Sequence, residues 1–152
     1  MGAGIGGTDG KSLRHKSHYH FGRRGPCTET IRRKKISVTT PYLDDVNERW
    51  KEYLAYYGLN VVSLDSLRIT NNYLGGQTYP ETVYRLARSI VKPETEALVL
   101  SCTDIRSIEI IELLENDLKI PVISSNQSSM WAAMRSCGIN DKIKGFGSLF
   151  EL

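Results

Sequence analysis

The chain has 152 residues, 40% hydrophobic and 24% charged, with a formal net charge of +3, the ordinary composition of one soluble domain with a proper core. No apolar run approaches the ~20 residues of a membrane span, and the amino terminus lacks the apolar centre of a secretory signal. Three cysteines without framework spacing argue against a disulfide scaffold and fit a reducing cytoplasm.

Residues 1–35 differ in kind from the rest. They hold nine Lys/Arg against two acids and all three histidines, whereas residues 36–152 hold 11 basic and 15 acidic side chains. The basic character therefore belongs to one end. No helical or strand period runs through 1–35, so the segment reads as a solvated arm. His15, His18 and His20 have the type of metal ligands, but no Cys or carboxylate cluster stands near them, and no metal site is assigned. Tyr19 and Phe21 are the only aromatic residues interleaved with the basic ones, and no nucleic-acid recognition motif accompanies them.

From residue 36 onward strand and helix signals alternate. Ile36 to Thr40 reads as a strand closed by Pro41. Asp44 opens an amphipathic helix with Val46, Trp50, Tyr53, Leu54 and Tyr57 toward a core, and Gly58 stops it. Asn60 to Leu64 is the next strand. Residues 65–77 read as a loop carrying Asn71, Asn72, Gly75 and Gly76; no Gly-Lys-Ser/Thr follows to make a phosphate loop. Pro80 begins a helix through Val83, Leu86, Ala87 and Ile90. Ala97 to Ser101 is a wholly apolar run with a polar end, the pattern of a strand buried on both faces. Cys102 follows it. Thr103 and Asp104 are read as caps of a helix with Ile108, Ile111 and Leu114 on one face. Residues 121–124 form a fourth strand. Asn126 or Ser128 caps a last helix, whose apolar stripe includes Met130, Trp131, Met134 and Cys137, and Gly138 ends it. The tail from Lys144 to Phe150 reads as irregular.

Strand and helix in strict alternation imply an α/β fold: a doubly wound, four-stranded parallel sheet with right-handed crossovers. A flavodoxin-like strand order of 2-1-3-4 places the carboxyl ends of the first and third strands beside the switch point, where open sheets bind ligands. Tyr42 then faces one crevice with Cys102. Amides at a helix start stabilise a thiolate, which makes Cys102 the candidate reactive group; the competing reading is a small buried thiol.

Several motifs together resemble the aspartate/glutamate racemase superfamily, closest to its maleate cis-trans isomerase and arylmalonate decarboxylase branch. They are Thr-Pro-Tyr at 40–42 followed by Val46-Asn47, Ser101-Cys102-Thr103 at a strand end, Pro-Val-Ile-Ser-Ser-Asn at 121–126, Trp131 with Arg135 and Gly138, and the closing Gly-Phe-Gly-Ser-Leu-Phe. The likeness runs from Ile36 to Phe150. It implies two similar α/β halves with the active site between them, of which this sequence matches the second. It further implies that Cys102 is the catalytic cysteine of that half, that Tyr42 binds a substrate carboxylate, that Asn72 stands near the reacting carbons, and that the Thr103 amide cradles a carboxylate or enediolate. No cofactor is implied, because a thiol moves the proton and amides stabilise the charge.

The implied activity is cofactor-independent isomerisation of small dicarboxylates, with a truncated and poorly active chain. Alternatives are a decarboxylase-like enzyme using a single cysteine, or a non-catalytic flavodoxin-like fragment. Cys27 does not replace the cysteine of the first half, since charged residues rather than a strand-to-helix turn surround it. The expected partner is a small dicarboxylate or 2-substituted acid, with neither nucleic acid nor membrane, and a homo-oligomer is compatible with this. Residues 1–35 also admit a reading as out-of-frame translation. Codons can be chosen so that a frame shifted by one base encodes a helix, a Thr-Thr-Ser strand end and an apolar-periodic helix running into Ile36.

Overall fold

The structure, a computed structural model, describes residues 33–152. The histidine cluster, Cys27 and all but the last three residues of the basic segment lie outside the described residues, and so does the reading of that segment as out-of-frame translation.

Four strands form one parallel sheet in the order β2-β1-β3-β4, the arrangement expected for a doubly wound α/β unit. They are β1 (Lys35–Thr40), β2 (Asn60–Ser66), β3 (Ala97–Leu100) and β4 (Val122–Ser124). In the central pairing, Val38 lies opposite Val99, and Val99 opposite Ile123. Among the described residues, five helices connect and flank the strands: α1 (Asp44–Tyr56), α2 (Asn72–Gln77), α3 (Pro80–Ile90), α4 (Ile111–Leu118) and α5 (Ser125–Ser136). None of the described helices is long and apolar enough to cross a membrane.

The period of two along each strand divides the core in two. Ile36, Val38, Val99 and Ile123 face one side, where Leu54 of α1, Trp131 of α5 and the tail residues Leu149 and Phe150 cover them. Leu98, Leu100 and Val122 face the other, under Val83 and Ala87 of α3 and Ile111 and Leu114 of α4. Each such aliphatic side chain taken fully out of water contributes roughly 1.5–3 kcal/mol before entropy is charged against it.

Four local expectations need correction. The stretch 65–77 is not all loop: β2 runs on to Ser66, and α2 forms with Asn71 as its cap, the Asn71 side chain accepting the Tyr73 N–H at 2.9 Å. No helix starts at Thr103. The chain stays irregular to Ser107, makes one 3-10 turn at Ile108–Ile110, and only then enters α4. The cap of α5 is neither Asn126 nor Ser128 but Ser124, whose hydroxyl takes the Gln127 N–H at 3.2 Å while the Gln127 side chain takes the Ser124 N–H at 3.4 Å. This reciprocal pair is a capping box. Finally, Met130 and Cys137 are exposed rather than packed, because the buried face of α5 is that of Gln127, Ser128 and Trp131.

The tail is more ordered than its composition suggests. Ser148–Glu151 forms a 3-10 turn. The Glu115 carboxylate accepts the Ser148 N–H at 2.7 Å and the Val122 N–H at 2.9 Å, and Gln127 donates to the Phe146 carbonyl at 2.5 Å. The tail is thereby tied to both α4 and the start of α5.

Candidate functional site

The carboxyl ends of β1 and β3 lie side by side, since the two strands pair from Ile36 to Thr39 and the Ser101 N–H still reaches the Thr39 carbonyl at 2.8 Å. Everything that follows these two ends is therefore delivered to one place. After β1 the chain turns through Thr40, Pro41 and Tyr42. Asn47, buried on the first turns of α1, holds that turn from inside: the Thr40 hydroxyl donates to its side-chain oxygen at 2.6 Å, and its amide donates to the Tyr42 carbonyl at 3.1 Å. The Tyr42 N–H closes the ring on the Thr40 hydroxyl at 3.2 Å. Tyr42 is fixed at the backbone before any ligand arrives.

After β3 comes Cys102, at φ 153°, a backbone angle that side chains seldom adopt and that costs of order 1–3 kcal/mol. Three hydrogen bonds hold it there. The Cys102 N–H donates to the Ser125 hydroxyl at 3.2 Å, the Asp104 N–H donates to the Cys102 sulfur at 3.3 Å, and the Asn126 amide donates to the Thr103 carbonyl at 2.9 Å. Cys102 is 9% exposed, while Thr103 stands out to solvent. Among the described residues no acceptor takes the Thr103 N–H, which leaves it available to a ligand.

Tyr42, Cys102 and Thr103 line one cavity of about 660 Å³ that runs between α1 and α5. Trp50 and Ala132 give it apolar walls, and Arg49 adds a cationic group. Trp50 stacks on Tyr53 with ring centroids 5.1 Å apart, so this face of α1 is preorganised. A cavity of this kind, mostly apolar with a few convergent polar groups, is what a small organic ligand requires.

Of the residues expected at the site, Cys102, Thr103 and Tyr42 come together. Asn72 is the first residue of α2; α2 meets the cysteine loop at Gly75, whose added Cβ would lie 3.7 Å from that of Asp104. Ser125 and Arg49 were not anticipated. Arg49 stands one helical turn after Val46, a spacing that could have placed it on the Val46 face of α1. Among the described residues no group of three or more His, Cys, Asp or Glu is placed to hold a metal ion.

The arylmalonate decarboxylase family model matches residues 27–150. The arylmalonate decarboxylase of Bordetella bronchiseptica is 31% identical over 121 residues, which are 78% of this chain and 50% of that protein. The maleate isomerase of Geobacillus stearothermophilus is 26% identical over 123 residues, 80% of this chain and 49% of that one. Among solved structures, the maleate cis-trans isomerase of Nocardia farcinica bound to TRIS superposes with a TM-score of 0.78 at 27% identity, over 84% of this chain and 53% of its own. A mutant of that same isomerase holds a covalently bound succinylcysteine intermediate. The chain spans about half the length of the curated relatives it matches.

Proposed function

Since the chain belongs to the arylmalonate decarboxylase family, we propose that it carries one wall of the active site of a cofactor-independent isomerase of small dicarboxylates, resembling the maleate isomerases. The observation that carries this reading is the meeting of Cys102, the open Thr103 N–H and Tyr42 on one cavity at the switch point of the sheet. The Thr103 amide and the Tyr42 side chain hold a substrate carboxylate. Negative charge that develops on it as an enediolate gains most from donors already in place. Cys102 exchanges the proton at the neighbouring carbon, and Asn72 orients the substrate from α2. In the reaction a second thiolate, which the described residues do not supply, adds to one alkene carbon while Cys102 gives a proton to the other; the former double bond turns as a single bond, Cys102 takes a proton back from that carbon, and departure of the added thiolate restores the alkene in the other geometry. A reducing cytoplasm is the compartment that the cysteine usage of the chain supports.

A second reading, a decarboxylase with one cysteine, is favoured by a specific feature. Among the described residues Cys102 is the only cysteine on the cavity, Cys137 being exposed at the far end of α5. In that reaction a malonate loses carbon dioxide, the electron pair of the broken bond remains as an enediolate, and the Cys102 thiol protonates the carbon.

Both readings make the isolated chain a poor catalyst, because groups that act as a unit lose far more than their share when several are missing. Two measurements test this. Malonate and maleate titrated into the isotopically labelled chain should shift the Thr103 amide resonance; no shift with either would favour a non-catalytic fragment. Rapid turnover of maleate or an arylmalonate by the 152-residue chain, abolished in Cys102→Ala, would overturn the expectation of weak activity and identify the substrate class.

A further inference from the structure

The geometry points to Asn126 as a positioning residue that aims a backbone donor at the Cys102 sulfur. The inference deepens the reading of Cys102 as the reacting group and rests on it.

The Asn126 amide grips the Thr103 carbonyl at 2.9 Å. That carbonyl belongs to the same peptide unit as the Asp104 N–H. In a trans peptide the C=O and the N–H point in opposite directions from one rigid plane. Whatever fixes the carbonyl therefore fixes the N–H, and this N–H is the one that donates to the Cys102 sulfur at 3.3 Å. Ser125, the preceding residue, takes the Cys102 N–H at 3.2 Å. Two consecutive residues at the start of α5 thus clamp the peptide that enters Cys102 and the peptide that leaves Thr103. The clamp is needed, because Cys102 at φ 153° has a backbone that would relax if released.

A plain structural duty does not account for Asn126. Helix capping, the usual task of an Asn at this place, is already performed by Ser124 and Gln127. The Asn126 residue itself is exposed, so it fills no core space. Its side-chain hydrogen bond crosses 23 residues of chain to the cysteine loop.

A donor to sulfur favours the thiolate over the thiol. Besides Cys102, the titratable groups lining the cavity are Tyr42, Arg49 and Tyr53 on the α1 side, and α5 contributes only hydroxyls and alanines; Asp104 follows on the exposed loop, its N–H on the sulfur. Asn126→Ala changes none of them. The test is the rate of Cys102 alkylation by iodoacetamide in the full chain, read by peptide mapping near neutrality and at about pH 10, where an ordinary thiol is already ionised. Cys137 in the same sample serves as the reference. Asn126→Ala should lower the neutral rate about fivefold while leaving the alkaline rate near its parent value, as expected for loss of one charge-assisted bond. Asn126→Gln, which keeps the amide, should stay nearer the parent ratio. An unchanged ratio, an equal change at both pH values, or the reverse order of the two variants overturns the role of Asn126. A Cys102 that labels at neither pH in the parent chain overturns the reading of Cys102 itself, and the two failures are thereby told apart.

Discussion

Gly147→Ala tests whether the tail is seated as described. Gly147 has φ 84° and ψ 167°, a combination essentially reserved for glycine, so an alanine there carries about 1–3 kcal/mol of backbone strain. Its Cβ would also overlap the Ile111 Cγ2 and stand 3.2 Å from the Gln127 amide nitrogen. Ile111 is fully buried and cannot yield, and crowding of this kind costs about another 1–3 kcal/mol. The expected loss is therefore about 2–6 kcal/mol, a large share of the roughly 5–15 kcal/mol that holds a domain folded. Gly138→Ala supplies the control. Gly138 also has a positive φ, 75°, but an added Cβ there meets nothing within 4 Å, so only a conformational cost of about 1–2 kcal/mol applies. Urea denaturation of both variants, followed by circular dichroism, reads the difference. If Gly147→Ala costs no more than Gly138→Ala, the tail does not pack on Ile111. The tie between Gln127 and Phe146 would then have no part in holding the start of α5.

Two further substitutions probe the elements that carry the site. Ser124→Ala removes the hydroxyl half of the capping box and should cost about 1 kcal/mol, or roughly 4 °C in Tm; an unchanged melting curve would mean that α5 starts elsewhere. Glu96 accepts the Lys35 and Lys34 N–H groups where the chain enters β1, and these bonds hold its carboxyl below the usual Glu range. A carboxyl lowered in the folded state stabilises at pH values above its unfolded range, and that gain is lost as pH falls through the folded value. The parent chain should therefore exceed Glu96→Gln in stability near neutrality, with the gap closing in acid; a gap independent of pH would show that the carboxylate is not what matters.

Strand order was legible because it follows from counting crossovers: each helix between parallel strands is right-handed, and a strictly alternating chain leaves few arrangements. The apolar run from Ala97 to Leu100 also announced a central strand, since only a strand covered on both faces dispenses with alternation. Helix ends were less legible. Ser124, Ser125, Asn126 and Ser128 all have cap chemistry, and only the reciprocal bond to Gln127 selects Ser124.

The main misreading lies at Cys102 itself, and its cause is chemical. Thr103 and Asp104 carry the signature of a helix start, yet a helix beginning there would commit its first amides to pointing along one axis. The loop divides them instead. The Cys102 N–H goes to Ser125, the Asp104 N–H goes to the sulfur, and the Thr103 N–H is left with no acceptor among the described residues. Local propensity cannot report this division, because the partners that enforce it, Ser125 and Asn126, stand 23 residues away on α5. Regular structure satisfies backbone donors with backbone acceptors; a site that must offer a donor to a ligand needs an irregular segment held open from outside. The departure from helix at residues 101–107 is thus what the proposed chemistry requires of this stretch of chain.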